Sequence, residues 1–468
     1  MKNNTPPLIR SITLTLFSAV ALSLLCIMSA KAQTPAATTP TEASGTINIQ
    51  YMARSEYRHG FQALADTNQK AGIFTSQRAR LGYQYNAKKF RLAATVQDVR
   101  VWGSTNNLSV DSTGKLSLFE GWGELLFTNK LSLKVGRQQL SYDDDRILGS
   151  LDWAMQGRRH DLALLKYVND SVLTVHAGFA YNQDKEQSKS NIYNQKANYK
   201  SMQFIWLFRQ FKKANISALF LNNGLQYTET DTAGKVTYGA QYFSQTAGVR
   251  TSLNFGKISS IIYVYYQLGK NAAVLKADKR PKDLSAYDIS AEITYKPITQ
   301  LGVTLGAELL SGTSQDASTS LTKSTSFSPL YGTNHRFNGY MDYFYVLNHA
   351  NSVGLNDIYL KVNTNFKKIT ASLNGHYFMA NADIKDVAAT TNTGSFVAMP
   401  SYLGIELDLT LTYNFTEGVG IQGGYSQMFG TESLKAIRGG QVNATSNWAY
   451  LMVLIRPNIK WPKTGLKL

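Results

Sequence analysis

The chain has 468 residues, a formal charge of +17, 27 tyrosines, 10 prolines and one cysteine. That cysteine, Cys26, lies in the N-terminal apolar stretch, so the chain beyond it offers no disulfide and no thiolate metal site. Beyond residue 32 no segment approaches the roughly 18 uninterrupted apolar residues of a spanning helix, which leaves a soluble exported β-protein or a transmembrane β-barrel.

Lys2 and Arg10 flank the start of an apolar stretch over 12–28, and Ala30-Lys31-Ala32 is a small-residue cleavage site, so residues 1–32 read as a signal peptide. Leu25 before Cys26 argues against lipid attachment. Cleavage removes Lys2, Arg10 and Lys31, so the remaining charge is 17 − 3 = +14. Such an excess attracts anions. Nucleic acid is no partner for an exported chain, whereas lipid, the anionic lipopolysaccharide and a basic lumen all account for it. Residues 33–44, rich in Ala, Thr and Pro, read as a disordered periplasmic leader. The barrel is expected over 45–461, with a short tail over 462–468.

From residue 45 the hydropathy has period two. The expected strands are 46–57, 75–85, 90–102, 116–127, 131–140, 159–167, 172–181, 199–211, 216–225, 245–255, 258–268, 286–295, 301–310, 355–363, 369–378, 402–413, 419–428 and 447–456. In 402–413, Leu403, Ile405, Leu407, Leu409, Leu411 and Tyr413 share one face, while Gly404, Glu406, Asp408, Thr410 and Thr412 share the other. Alternation over about ten residues, ending in tyrosine, suits a tilted strand crossing hydrocarbon between aromatic girdles; sandwich strands usually run about 5–6 residues. Connections alternate too. The segments 86–89, 128–130, 212–215, 296–299 and 414–418 are short, whereas 103–115, 182–198, 226–244, 269–285, 311–354, 379–401 and 430–446 are long and polar. Short periplasmic turns opposite long external loops are the barrel pattern. The expected fold is therefore all-β, a transmembrane antiparallel barrel of about 18 strands in one domain.

An arginine or lysine facing lipid at mid-depth costs about 2–4 kcal/mol, so strand charges should face the lumen. Arg78 and Arg80 share a face of the second strand, Glu120 and Glu124 of the fourth, and Lys134 joins Gln138 in the fifth. Asp161, Arg209, Arg250, Glu292, Glu308, Asp357, Lys361, Glu406 and Asp408 are further candidates. Paired across the lumen, the same charges would merely line or plug it. The densest polar stretch, 136–161, sets Arg137, Arg146, Arg158 and Arg159 among Asp143, Asp144, Asp145 and Asp152, with Ile147, Leu148, Leu151 and Trp153 between. A plain hairpin loop needs no such apolar residues, so this loop should fold inward and pack. Its arginines offer a bidentate fork either to a uronate or to the neighbouring aspartates.

This stretch resembles the core of the alginate-export family of outer-membrane proteins, and Gln97-Asp98-Val99-Arg100-Val101-Trp102-Gly103 resembles the motif preceding it. Phe327-Ser328-Pro329-Leu330-Tyr331-Gly332, continuing to Asp342, with Gly354-Leu355-Asn356-Asp357 after it, resembles the family's branch in Bacteroidetes-like bacteria. The matches span about 97–361. The resemblance implies an 18-stranded channel in which lumen arginines and lysines attract a polyuronate and acids help it move on. Arg78, Arg80, Arg100, Arg137, Arg146, Arg158 and Arg159 are the positions it marks, with Lys134, Glu120, Glu124, Asp143, Asp152 and Asp161 beside them as pore-lining candidates. One departure is the C-terminus, Gly465-Leu466-Lys467-Leu468, which lacks the aromatic residue that barrel-assembly machinery reads in many barrels; Trp461 is the substitute.

The histidines show no metal-ligand spacing, and there is no G-x-S-x-G elbow or phosphate loop, so no metal, no cofactor and no enzymatic activity are expected. Ser372 and His376 on one strand face are the nearest catalytic pair, with a polar lumen lining as the plainer reading. Two functions stay open: a passive channel for anionic solutes or an anionic polysaccharide, and a structural or adhesion platform whose lumen is closed by 311–354. A barrel of this size can stand alone as a monomer, and no strand shows a trimer interface.

Overall fold

A computed structural model describes residues 43–457 apart from 106–115, 170–171, 190, 194, 196–197, 231–235, 276–280, 317, 319–320, 334, 346–348 and 350–351. The expected signal peptide, nearly all of the leader, Trp461 and the tail lie outside the described residues. The strands are β1 Ser44–His59, β2 Gly72–Asn86, β3 Phe90–Val101, β4 Leu116–Leu126, β5 Leu131–Gln138, β6 His160–Asn169, β7 Leu173–Tyr181, β8 Ser201–Gln210, β9 Ala214–Thr230 and β10 Val236–Phe255. They continue with β11 Ile258–Leu275, β12 Pro281–Ile298, β13 Leu301–Leu310, the two-residue β14 Lys323–Ser324, β15 Leu355–Phe366, β16 Ile369–Met379, β17 Tyr402–Thr416, β18 Val419–Gly430 and β19 Ser446–Ile455. Two short helices, α1 Val387–Thr393 and α2 Glu432–Arg438, sit in the long connections.

Every long strand pairs antiparallel with its neighbours in the chain, β13 pairing directly with β15, and β19 closes on β1 through Tyr51↔Ile455 to His59↔Asn447. The result is a closed antiparallel barrel of eighteen long strands with no free edge. All eighteen expected segments are strands. Two expected polar loops, 226–244 and 269–285, are in large part strand instead. Thr230 opposes Val236, and Leu275 opposes Pro281. In both segments polar residues fall at odd and even positions alike, so the sequence carries no two-faced signal there.

The wall is inverted relative to a soluble protein. On β17, Leu407, Leu409, Leu411 and Tyr413 are 41–50% exposed, while Glu406 and Asp408 between them are fully buried. On β13, Leu305 and Leu309 face out, and Thr304 and Glu308 face in. Outward phenylalanines and tyrosines flank this apolar band: Tyr83, Phe90, Phe127, Phe255, Phe366 and Phe415. Burying such a band in hydrocarbon requires that no charge sits in it. Leu409→Arg, at mid-strand, should therefore cost about 2–4 kcal/mol of unfolding free energy in lipid vesicles, measured by urea titration, and a cost below about 1 kcal/mol would argue against lipid facing there.

One face assignment fails. Leu403 is fully buried, not outward. Phe378 opposes Gly404, but Met379 opposes Tyr402, so the register slips past Leu403 in a bulge. Gly404 takes φ +145°, and a Cβ there would lie 2.4 Å from the Phe429 carbonyl oxygen, so only glycine fits.

Candidate functional site

Two long connections turn into the lumen, 139–159 after β5 and 311–354 after β13. They pack on each other as well as on the wall. Leu148 and Tyr331 form a parallel bridge, with Tyr331 N–H donating to the Ile147 carbonyl at 3.1 Å and Gly149 N–H to the Tyr331 carbonyl at 2.9 Å. Thr333 N–H donates to the Asp145 carbonyl at 2.8 Å, and Arg158 Nη1 to the Gly332 carbonyl at 2.7 Å. Trp153 stacks on His335 at 4.1 Å, and His335 on Tyr340 at 4.8 Å. Seven of the nine non-glycine residues with positive φ among the described residues lie in these loops: Asp143, Asp145, Leu151, Leu330, His335, Asn338 and Asp342. Such backbone persists only where its surroundings fix it, so the loops form one shaped body inside the wall.

That body is moored to one arc of the barrel. Arg146, 2% exposed, reaches Glu308 at 2.8 Å and Asp288 at 3.2 Å and donates to Asn338 Oδ1 at 3.3 Å. Asn338 donates to Glu308 at 2.6 Å and Asp357 at 3.2 Å, and Met341 N–H donates to Glu406 at 2.7 Å. Tyr263 also donates to Glu308. Arg250 of β10 holds Asp144 at 3.1 Å, and Asp143 accepts from Trp206 Nε1 at 3.1 Å. Burial pushes the Asp143 carboxyl up. The arc β12–β17 is thus acidic, and the loops supply the groups that its carboxylates accept from.

A second arc, separated from the acidic one by β18 and β19, is basic. Alternation on β1 and β2 points Arg54, Arg58, Arg78 and Arg80 inward, at levels marked along β1 by residues 58, 54, 52 and 50, since Arg78 opposes Met52 and Arg80 opposes Gln50. Two carboxylates answer them. Glu56 binds Arg54 at 2.9 Å and Arg58 at 2.8 Å, and accepts from Trp448 Nε1 at 3.0 Å. Asp152 of the inward loop lies 3.1 Å from Arg78 and 3.0 Å from Arg80. Arg456 Nη1 lies 3.9 Å from the same Asp152, so five guanidiniums face two carboxylates and the file carries an excess of three positive charges. Arg54 also packs over Trp153 at 4.1 Å and donates to its carbonyl at 2.9 Å.

Space follows the basic arc. A cleft of about 510 Å³ on the long-loop side is lined by Arg54, Arg58, Phe74 and Trp153. Another of about 470 Å³ on the short-turn side is lined by Gln50, Arg80, Glu120 and Asp152. Segment 150–156 lies between them. A cavity on the acidic arc, beside Glu292, Glu308 and Lys361, holds about 230 Å³.

The sequence candidates divide accordingly. Arg78, Arg80, Asp152 and Glu120 meet at the basic arc, and Glu120 accepts from Gln139 N–H at 3.1 Å. Arg146 and Asp143 are used up in mooring. Arg158 is half-buried without a carboxylate partner among the described residues, and burial pushes its guanidinium down. Glu124 faces the lumen but is held by Ser132, Lys166 and Arg91; Lys134 lies over Trp122 at 3.8 Å. Four candidates are corrected. Arg137 and Asp161 pair with each other at 2.8 Å on the outward face, since Lys134 and Lys166, an odd number of residues away, point inward. Arg100 pairs with Asp98 at 2.6 Å on the outward face of β3, because Gln97 is the inward residue, and Arg209 shares the outward face of β8 with Leu207. All four lie at strand ends, where the lipid penalty has fallen to about 0–1 kcal/mol and charge no longer reports the lumen. Arg159 is half-buried near the same rim, donating to the Gln156 carbonyl at 3.3 Å. Arg54, Glu56 and Arg58, not singled out from sequence, alternate with Ser55 and Tyr57 on β1, a legible signal.

Ser372 donates to Asn374 at 3.1 Å and makes no bond to His376, whose Nδ1 is 2.9 Å from Asp357 instead.

A profile of alginate export proteins matches residues 44–445, nearly the whole described wall. The chain belongs to the alginate export family. No curated protein sequence matches it. This alginate-export barrel shares its fold with Pseudomonas aeruginosa outer-membrane barrels. OpdK crystallised with vanillate is 11% identical, at a TM-score of 0.56, covering 88% of this chain and 98% of its own. OccK8 (OprE) is 10% identical at 0.57, covering 90% and 99%, and OccK5 (OpdH) is 12% identical at 0.56, covering 89% and 99%. Family and fold together place the protein in the outer membrane as a channel-type barrel.

Proposed function

We propose that the protein passes anionic solutes, an anionic polysaccharide among them, passively along the basic arc of its lumen. The arginine file with its two flanking clefts carries this reading. The moored loops occupy the acidic arc, and on the basic arc the two clefts approach each other across segment 150–156, which covers the fully buried Arg78, so a shift of that segment would join them past Arg58, Arg54, Arg78 and Arg80. Guanidiniums suit a uronate because each presents two parallel N–H donors to a carboxylate. Glu56 and Asp152 keep the file from binding a polyanion too tightly, since each site is already partly neutralised. The file has no energy coupling of its own, so direction follows the gradient and whatever partners act on it. Signal cleavage after Ala32 would deliver the chain to the envelope.

Conductance across planar bilayers, with and without polyuronate in the bath, tests this. Block by micromolar to millimolar polyuronate, with a neutral polysaccharide of equal length inert, is the expected result. Equal block by both polymers, or none by either, overturns it. A platform function, with the lumen closed, predicts no conductance until 311–354 is shortened.

A further inference from the structure

The short-turn rim carries charge that the channel does not use. Three of its turns hold a Lys-Lys doublet: Lys88-Lys89, Lys212-Lys213 and Lys367-Lys368, all exposed and none in an ion pair. They join the second strand to the third, the eighth to the ninth, and, counting long strands only, the fourteenth to the fifteenth of eighteen. Successive doublets are therefore six strands apart, at thirds of the circumference. Among the described residues of these short turns the one acid is Glu417.

Each doublet adjoins an outward phenylalanine of the apolar band. Phe90 follows Lys89 and is 37% exposed; Phe255 and Phe366 are 59% and 60% exposed. Lys213 Nζ lies 5.9 Å from the Phe255 ring, and Lys367 Nζ 5.4 Å from the Phe366 ring. The outward Arg209 adds a further cation beside Lys212-Lys213, over Phe211 at 5.1 Å. These rings mark the polar edge of the hydrocarbon, so the ammoniums stand at the depth of lipid headgroups, where long basic side chains extend toward phosphate. An acidic protein docking from the periplasm would call for charge on one arc. Even spacing round the wall suits a ligand that surrounds the barrel.

We infer that the three doublets form a collar that gathers anionic phospholipid headgroups, phosphate diesters such as phosphatidylglycerol, from the leaflet at the short-turn end. Each lysine near an anionic surface contributes roughly fivefold in local binding, and a doublet correspondingly more, screened by salt.

The test uses the intact barrel in phosphatidylethanolamine bilayers with phosphatidylglycerol as a minor component, followed by gentle extraction and mass spectrometry of the lipid retained. Wild type should hold phosphatidylglycerol at least about fivefold above its bulk proportion. The variant with K88Q, K89Q, K212Q, K213Q, K367Q and K368Q should hold it at bulk proportion, and six Lys→Arg changes should restore it. Single-doublet variants, checked as folded by heat-modifiable gel migration, should lose enrichment in steps. Enrichment undiminished in the glutamine variants overturns the collar. So does displacement of the lipid by millimolar inorganic phosphate, which would make it a free-anion site, or a preference for lipid A over phosphatidylglycerol, which would put the rim in the other leaflet.

Discussion

Replacing Arg58 and Arg80 by glutamine should remove most of the anion preference of the lumen. The first substitution leaves Arg54 with Glu56, and the second leaves Arg78 and Arg456 with Asp152. The excess of three positive charges falls to one along the file, and Glu120 in the short-turn cleft offsets it. At 0.1 M salt, where the Debye length is about 10 Å, charges on the file act across the whole cleft, so the reversal potential in a KCl gradient should shift by several-fold in the anion-to-cation permeability ratio. At 1 M, with a Debye length of about 3 Å, the shift should nearly vanish. An unchanged ratio at low salt would mean that ions take another route. Arg137→Gln serves as the control, because its partner Asp161 is outward, and it should leave selectivity where it was.

Arg146→Met should loosen the lumen body and open the channel. Among the described residues Arg146 is the one cation paired with Asp288 and Glu308, both nearly fully buried, and its loss leaves two carboxylates in a low-dielectric wall without that partner. Breaking a buried pair from one side usually costs about 3–5 kcal/mol. The wall itself is held by strand pairing, so the cost should fall on the loops. Single-channel conductance should rise or become noisy, while the barrel keeps its slow, heat-modifiable migration on gels. The double change Arg146→Met with Glu308→Gln should recover part of the wild-type conductance, because one of the abandoned charges is gone. A barrel that fails to fold at all would show instead that the mooring belongs to wall assembly.

The wall was legible because lipid enforces a strict rule on it. Wherever hydrocarbon lies outside and polar lumen inside, alternation is obligatory, and every expected strand was found. Legibility ended where that rule relaxes. In the outer parts of the β9–β10 and β11–β12 hairpins polar residues fall at both odd and even positions, so the pattern there reads as loop although the backbone is strand. At strand ends the penalty on charge fades, so charge misplaces Asp161 and Arg209, while Arg137 reads as part of the inward loop and Arg100 is marked only by the resemblance. At Leu403 a one-residue bulge reversed the alternation, which no period count reveals. The inward fold of 139–159 could be read from apolar residues stranded among aspartates and arginines. Its partner could not: the Leu148–Tyr331 bridge joins positions with no sequence pattern in common. The division of the lumen into acidic and basic arcs depends on that pairing, and so stayed hidden until both loops were placed.

The bridge between the two inward loops also separates two things that a simple pore combines. Strand number and tilt set the diameter of a barrel, and changing either rebuilds every register. Here the space left in the lumen is set by how a clasped pair of loops seats against β1–β3, and the strands give only the outer frame. A change of a residue or two within 150–156 would widen, narrow or recharge the passage with all eighteen strand registers intact. The frame is fixed by the membrane, and the bore is left free to be fitted to its cargo.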